Sequence, residues 1–457
     1  MKLILIAIFA LFLTVSNATA QQSDALLRRV TAQDFASRNA SGKLQTMSAA
    51  EHLARAETYS ANRLFPQARE HWQEVFDNYP GDAGMSKALF GTARSYMWER
   101  DYGKAVEWFN KLTKDYPFTK DGREGLAFKG ASLVREGKNL EAARVYEQYV
   151  TMFPNGEKIE SAHLNIIDAY REAGKYAEAD RWVDKTVRTF AGKATDVNAR
   201  QARLRMKIHK ADWNGAIIAA DSLLAVGTFA KSMTSADEAK FLKALALEKS
   251  GKKLEAAAVY ALIPNGINSY YGGLAAEQLA GGSHVKKINS ATPKLYADYP
   301  VLYRSELMQH ARPKKIDPRF LLAIMKQESV FKAGAKSPAG ARGLLQFVFD
   351  TALKYNKKAG YPNLQPDDLY KPAVSIALGS VYVADLKDEF GGLYEAIAAS
   401  YNGGEDNAAR WLDRSKPKEA GIFAAEVGFA ETKNYVFKVM NNYRVYRELY
   451  TEDLQRK

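Results

Sequence analysis

Residues 317–346 read DPRFLLAIMKQESVFKAGAKSPAGARGLLQ. The pair Asp317-Pro318 is typical of a helix start, because an aspartate side chain can cap the first turn and proline lacks the N–H that would need a partner there. After this start, three apolar residues and one carboxylate recur at helical spacing on one face: Leu321, Ile324, Met325 and Glu328. The stretch therefore predicts a helix that carries Glu328 on its buried face.

A glutamate on the apolar face of a helix is unusual, because burying an unpaired charge costs free energy. Burial should raise the pKa of Glu328 well above that of a free glutamate, and its position late in the helix, near the negative end of the dipole, adds to this effect. Such a group can donate a proton near neutral pH, as the general acid of glycosidic cleavage does. The alternative is a glutamate at a helix end whose carboxylate simply reaches solvent.

Three motifs follow one another along the chain: Glu328-Ser329, then SPAGARGLLQ at 337–346, then ASYNGG at 399–404. In this order they resemble the soluble lytic transglycosylases, which cut the bacterial cell wall and share the lysozyme-like fold of goose-type lysozymes. The resemblance spans roughly residues 300–450. It implies that Glu328 is the catalytic acid and that a set of residues around it binds the substrate: Ser337, Gln346, Val348, Tyr401, Asn402 and Glu431.

The resemblance also assigns a role to several of these residues. It implies that Ser337 lies beside the acid, that Gln346 reaches the sugar, and that the Tyr401 hydroxyl is within hydrogen-bonding reach of the acid. Glu431 would contact the glycan and would not be a second catalytic carboxylate. Each has a structural alternative: a turn cap for Ser337, a core position for Tyr401, and complementation of a helix N-terminus for Glu431.

The chain departs from the family pattern within the same stretch. Leu345, Val348 and Phe349 stand where the family usually has Met, Met and Pro. Leu345 keeps the apolar volume, whereas Val348 and Phe349 would change the wall of the substrate groove. We therefore expect an effect on subsite preference and not on the chemistry.

No second carboxylate lies close to Glu328 in the sequence, although the fold could bring one from a distant part of the chain. Retaining and inverting glycosidases use two acids at set separations, whereas a lytic transglycosylase needs one. The resemblance implies that Glu328 protonates the glycosidic oxygen and then removes the proton of the muramoyl C6 hydroxyl, which yields a 1,6-anhydro product. Two alternatives remain: a muramidase of the goose-lysozyme type that uses water, and an adaptor that binds glycan without cleaving it.

An alanine recurs every 37 residues in the first half of the chain, with a last interval of 40: Ala68, Ala105, Ala142, Ala179, Ala216 and Ala256. Each is expected to open an amphipathic helix, and four of these helices should end on an aromatic residue: Tyr79, Tyr116, Phe153 and Phe190. Glycine lies five residues before three of the alanines, where the preceding helix must turn: Gly137, Gly174 and Gly251. This register is typical of stacked helical hairpins and resembles tetratricopeptide repeats.

These patterns predict a mainly all-α chain: an α-solenoid of helical hairpins, then a lysozyme-like domain with at most a very small β-element. Lys2, an apolar run and a small-residue ending predict a signal peptide cleaved before Gln21, with an uncleaved N-terminal anchor as the alternative. The expected division is a signal peptide at 1–20, a polar lead-in at 21–47, repeats at 48–262, a linker at 263–300 and the lysozyme-like domain at 301–457.

Composition bears on cofactors and partners. The 457 residues include no cysteine, which excludes disulfides, thiolate metal sites and a lipid-modified cysteine, and the six histidines lack ligand spacing. We expect neither a metal nor another cofactor. The net charge of +13 suits an acidic partner, and export favours peptidoglycan over nucleic acid. The expected location is the periplasm, without a membrane-spanning segment in the mature chain, and the repeats could bind a protein partner.

Overall fold

The computed structural model describes residues 25–281 and 292–457. The predicted signal peptide, its cleavage before Gln21 and part of the predicted linker lie outside these residues. Residues 25–37, within the predicted lead-in, are helical. The helices of the predicted repeat region are α1 Ala49–Ala61, α2 Phe65–Asn78, α3 Met85–Trp98, α4 Tyr102–Asp115, α5 Lys120–Arg135, α6 Asn139–Met152, α7 Ile159–Glu172, α8 Tyr176–Thr189, α9 Ala194–His209, α10 Trp213–Leu224, α11 Ala236–Lys249 and α12 Lys253–Ala261.

Helices also dominate the remainder of the chain. They are α13 Tyr270–Ala280, α14 Pro293–Asp298, α15 Arg304–His310, α16 Pro318–Glu328, α17 Phe349–Tyr355, α18 Pro372–Glu389, α19 Tyr394–Gly403, α20 Glu405–Arg414, α21 Ala420–Glu426 and α22 Ala430–Leu449, with 3₁₀ turns at Arg312–Lys314 and Pro366–Tyr370. The described part of the predicted linker is therefore largely helical.

The six alanines of the 37-residue register are packing positions. Each is buried, and each is the fourth residue of its helix, in α2, α4, α6, α8, α10 and α12. The prediction that the alanine opens the helix was therefore wrong by about one turn. At two of these helices an aspartate side chain caps the first turn and fixes the earlier start: Asp101 and Asp212.

The turn before each of these helices contains a residue with positive φ, five positions before the alanine. Glycine occupies three of these turns: Gly137, Gly174 and Gly251, with φ of 76°, 72° and 85°. Other residues occupy the equivalent turns: Arg63, Arg100 and Ala211, with φ of 61°, 65° and 54°. The repeats thus keep one turn geometry, although only glycine adopts it without steric cost.

The expected aromatic residues directly follow the last residue of their helices: Tyr79, Tyr116, Phe153 and Phe190. Proline comes next after three of them, at positions 80, 117 and 154. A residue before proline disfavours the helical conformation, so the helices end at the predicted place.

Contacts divide the chain into two compact units. The first contains the described residues up to Ala169 together with Gly334–Arg342 and Gln346–Thr351. Its core combines Val30, Tyr59 and Trp72 with further apolar residues of α1 to α4. Within this unit the Arg63 guanidinium also binds the Asp350 carboxylate, with Nη2 and Oδ2 2.9 Å apart.

The second unit contains the described residues of 170–333, with Gly343–Leu345 and Ala352–Lys457. One hydrophobic cluster in it joins helices before, within and after the predicted linker: Phe241 of α11, Tyr271 of α13 and Ile422 of α21 belong to it. The domain boundaries at 48–262, 263–300 and 301–457 stay predictions.

The predicted fold class, mainly all-α with at most a very small β-element, is confirmed. No residue among those described forms a strand, and β-pairing is limited to isolated bridges: Lys336 with Arg342, Arg342 with Phe347, and Tyr450 with Arg456. Over the same residues, no helix combines the length and the apolar character needed to cross a membrane.

Candidate active site

The helix α16 begins and packs as its sequence predicts. The Asp317 side chain caps it by accepting a hydrogen bond of 2.9 Å from the Arg319 N–H. The apolar residues on the same face as the glutamate are fully buried: Leu321, Ile324 and Met325. Glu328 is the last residue of this helix, so the fold places its carboxyl group at the end of a buried apolar face.

The carboxyl group of Glu328 is bound by a phenol from the last helix. The Tyr435 hydroxyl, carried by α22, donates a hydrogen bond of 2.6 Å to Glu328 Oε1. Burial raises the pKa of Glu328 to about 7, and the hydrogen bond from Tyr435 opposes part of this rise because it favours the charged form. The direction agrees with that expected from the sequence.

The cause of the raised pKa is informative. Two neighbouring carboxylates raise each other's pKa by repulsion, as in catalytic dyads. For Glu328 the raising cause is burial, and no charge of another described residue adds to it. The raised pKa of Glu328 therefore reflects an apolar setting.

The Tyr401 hydroxyl donates a hydrogen bond of 2.6 Å to the Leu345 carbonyl, and its ring packs against Tyr382 with centroids 5.4 Å apart. Burial raises the pKa of Tyr401, and the charge of Glu328 raises it further, so Tyr401 lies near the acid. A direct role of Tyr401 at the acid stays a prediction.

Tyr435 is a site residue that the sequence motifs do not single out. The signal was present, since Tyr435 and Val436 fall one helical turn after Thr432 and one turn before Val439, on the face that the structure buries. What the sequence could not supply was the pairing of α22 with α16, which brings together residues 107 positions apart.

The segment Gly343–Leu345 is attached to two helices of the second unit. The Ser329 hydroxyl, next to the acid, donates to the Leu344 carbonyl at 2.8 Å. The Leu345 N–H donates to Ser375 Oγ at 3.2 Å. Gly343 has φ of 80°, and a Cβ there would lie 1.9 Å from the Leu369 carbonyl oxygen, so only glycine fits. These contacts fix the carbonyl that Tyr401 binds.

The other two predicted substrate-binding residues of this unit, Asn402 and Glu431, are linked through Thr432, which binds Asn402 and directly follows Glu431. Asn402 is exposed, and its Oδ1 accepts a hydrogen bond of 2.7 Å from the Thr432 hydroxyl. Glu431 is exposed in the first turn of α22, where a negative charge complements the helix dipole. Both side chains remain available to a ligand.

Three predicted substrate-binding residues belong to the first unit. The Ser337 hydroxyl accepts the Ala341 N–H at 3.1 Å and so closes a turn, which is the structural alternative considered for it. Gln346 has φ of 49°, and its Nε2 donates to the Ala335 carbonyl at 3.1 Å. Val348 is half-buried just before α17. Their contact with substrate stays a prediction.

The described part of the chain contains no cluster of three or more His, Cys, Asp or Glu side chains arranged to hold a metal ion.

Comparisons with known families agree with both halves of the resemblance. Residues 307–423 match the Transglycosylase SLT domain, and residues 53–118 and 129–194 match the tetratricopeptide repeat. The resemblance to soluble lytic transglycosylases joined to tetratricopeptide-like repeats is confirmed.

Curated relatives match over a limited part of their length. The soluble lytic murein transglycosylase of Salmonella typhimurium is 31% identical over 151 residues, which is 33% of this chain and 23% of the relative. A putative soluble lytic murein transglycosylase of Haemophilus influenzae is 36% identical over 126 residues, 27% of this chain and 21% of the relative. The matched region thus spans less than a quarter of either relative.

Solved structures match over most of the chain at low identity. The 70 kDa soluble lytic transglycosylase of Escherichia coli has a TM-score of 0.52 and 18% identity, covering 94% of this chain and 84% of that chain. The lytic transglycosylase Slt of Pseudomonas aeruginosa, as an inactive mutant, has a TM-score of 0.50 and 17% identity, covering 86% and 79%. These similarities confirm the fold: a helical repeat region followed by a lysozyme-like domain.

Proposed function

We propose that this chain is a lytic transglycosylase of peptidoglycan. It cleaves the β-1,4 bond between N-acetylmuramic acid and N-acetylglucosamine and leaves a 1,6-anhydromuramoyl end. The observation that carries the proposal is the half-buried Glu328, whose pKa is raised by burial to about 7 and which lies within the segment that matches the transglycosylase domain. A carboxyl group of this kind is protonated in a useful fraction of molecules at neutral pH.

In the first step Glu328 is the general acid. Its proton moves to the glycosidic oxygen, the bond from that oxygen to C1 of the muramoyl unit breaks, and positive charge develops at C1. The substrate's own N-acetyl group can stabilise this charge, so the protein needs no second carboxylate there. The hydrogen bond from Tyr435 favours the carboxylate that forms on Glu328.

In the second step the same group is the general base. The Glu328 carboxylate accepts the proton of the muramoyl C6 hydroxyl, and the C6 oxygen bonds to C1. The 1,6-anhydro ring closes, the acid is regenerated and no water is consumed. A group with a pKa near 7 suits both steps, because neither protonation state is strongly disfavoured at neutral pH.

By resemblance, we propose that Ser337, Gln346, Val348, Asn402 and Glu431 contact the glycan, with Tyr401 shaping the site through its bond to the Leu345 carbonyl. The proposed place of action is the periplasm, reached through the predicted signal peptide. The repeats are proposed as a surface for a protein partner, in keeping with what such repeats commonly do.

The test is digestion of purified sacculi followed by mass spectrometry of the released muropeptides. The wild-type chain should release 1,6-anhydro products, and Glu328→Gln should release none. Glu395→Gln is the matched control, because burial also raises the pKa of Glu395 to about 7, but Glu395 contacts Tyr270. This control should keep its activity. Reducing ends without anhydro ends would make the enzyme a muramidase, and glycan binding without release would make it an adaptor.

A further inference from the structure

A cleft of the lysozyme-like region lies at the opposite end of α16 from Glu328. It has a volume of about 570 Å³, within the range of small-ligand pockets. It is lined by Pro318 and Arg319, the first residues of this helix. The helix has 11 residues and is therefore about 16 Å long, so the cleft is separate from the acid.

The lining of this cleft is rich in positive charge. Four cations face two carboxylates: Arg312, Lys315, Arg319 and Arg447 against Asp317 and Glu452. Two helices also begin here, α16 at Pro318 and α19 at Tyr394. The positive ends of their dipoles add to the field that an anion would meet.

Both carboxylates of the lining are already engaged by Arg319. Its Nη2 lies 2.6 Å from Asp317 Oδ2 and 3.4 Å from Glu452 Oε1. Asp317 also accepts a hydrogen bond of 2.8 Å from the Tyr443 hydroxyl. These contacts hold the pKa of Asp317 below its usual value despite burial. The charges of Asp317 and Arg319 therefore neutralise each other on one side of the cleft.

The charges of Lys315 and Arg447 are not neutralised in this way. Both side chains are exposed, and among the described residues no carboxylate lies within ion-pair distance of either one. The guanidinium of Arg447 lies 5.6 Å from the Tyr443 ring centroid, which leaves its N–H groups available. By contrast, Arg312 is paired with Asp453.

The turn that carries Lys315 is held in a costly conformation. Lys315 has φ of 55°, which costs a non-glycine residue about 1–2 kcal/mol. Its carbonyl accepts a hydrogen bond of 2.8 Å from Lys387 Nζ, on α18. Lys387 thus anchors the backbone of the turn while adding a further cation beside it.

We propose that this cleft binds a compact anion with two acidic groups, either two linked phosphates or a pair of carboxylates, through Lys315 and Arg447. The planar guanidinium can bind such a group through two N–H donors, and the ammonium adds a point charge. The source is either a phosphate compound or a carboxylate-bearing stem peptide of the cell wall. The proposal does not depend on the reaction assigned to Glu328.

Isothermal titration of the full chain at low salt tests it, with inorganic pyrophosphate in one arm and an acidic stem peptide with two free carboxylates in the other. At least one probe should bind. In the double variant Lys315→Gln, Arg447→Gln its affinity should fall at least about tenfold, the loss of two charge-assisted contacts. The arm that binds identifies the source.

The matched control is the double variant Lys357→Gln, Arg188→Gln, which removes one lysine and one arginine charge from other exposed positions of the same unit. This control and Glu328→Gln should bind the probe as the wild type does, and circular dichroism should show every variant folded. The proposal is overturned if neither probe binds, if the Lys315 and Arg447 variant keeps its affinity, or if the control loses as much.

Discussion

Among single residues, Glu328 is the one whose protonation decides the proposed activity. Its pKa of about 7 is a result of burial, and the Tyr435 hydroxyl moderates it. The spacing of Glu328 after Leu321, Ile324 and Met325 predicts that its carboxyl group lies on an apolar helix face. The Tyr435 hydroxyl binds Glu328, and the Tyr401 hydroxyl binds the Leu345 carbonyl. These contacts depend on the packing of distant helices, so the spacing of residues along the sequence did not predict them.

Removing the phenol should change how activity depends on pH. Glu328 must be protonated to begin the reaction, so the wild-type rate should fall as pH rises through about 7. In Tyr435→Phe the carboxylate loses its hydrogen bond, so the pKa of Glu328 and the alkaline limb of the profile should move upward. The maximal rate should fall roughly 10-fold to 100-fold, as expected for a lost hydrogen bond to a charged group.

The comparison is Tyr401→Phe, whose hydroxyl binds a backbone carbonyl. It should leave the position of the alkaline limb unchanged, whatever its effect on the rate. An unshifted limb in Tyr435→Phe, measured as initial rate against pH, would contradict the assignment of Tyr435.

At the scale of elements, the repeated alanines and aromatics were predictable because each helical hairpin buries the same positions. The helix starts were not, because they depend on local caps such as Asp101 and on the preceding turn. That turn has positive φ even where the residue is not glycine, at Arg63, Arg100 and Ala211. The sequence shows the turn clearly only where glycine marks it.

Exchanging residues between two equivalent turns should shift stability in opposite directions. Ala211→Gly should raise the free energy of unfolding by about 1 kcal/mol, and Gly137→Ala should lower it by about as much, because the left-handed conformation penalises a Cβ. A Cβ at Gly137 would meet nothing within 4 Å, so the effect should come from the backbone alone. Urea unfolding monitored by circular dichroism measures both, and equal signs would refute the shared turn.

The contact between α13 and α19 should make the stability of the chain depend on pH. Glu395 is buried, the Tyr270 hydroxyl donates to it at 3.1 Å, and burial raises its pKa to about 7. The unfolded chain releases this proton at lower pH, so the wild type should lose stability as pH rises from about 4.5 to 7. Glu395→Gln lacks this loss and should be more stable at pH 8, by roughly 1–3 kcal/mol. Thermal melts at pH 5 and pH 8 check this, and an advantage that does not grow with pH would count against it.

At the scale of the whole molecule, a buried ionic network joins repeat helices to the lysozyme-like region inside the second unit. The Glu426 carboxylate, from α21, lies 2.8 Å from Arg171 Nη1 and 3.2 Å from Arg205 Nη1, with Arg414 also beside it. Burial alone would raise the pKa of Glu426, but the three guanidinium groups hold it at about 2. The sequence gives no sign of this network, because its members are unremarkable charged residues until the fold buries them.

Neutralising Glu426 should destabilise the chain strongly. Glu426→Gln leaves three guanidinium groups close together in a buried place and should cost about 3–5 kcal/mol of unfolding free energy. Because the pKa of Glu426 is depressed, the wild-type contribution should be present above about pH 4.5 and be lost as pH falls toward 2. Asp385→Asn, which breaks an exposed pair with Lys358, is the control and should cost less than about 1 kcal/mol. Equal effects in denaturant unfolding would refute the network.

Digestion of sacculi in ¹⁸O-labelled water shows whether one acid cleaves the glycan without consuming water. The muropeptides should have 1,6-anhydro ends that carry no ¹⁸O at C1, and Glu328→Gln should release none of them. Products with one ¹⁸O at a reducing C1 would contradict this mechanism, because they would show that water attacks the substrate.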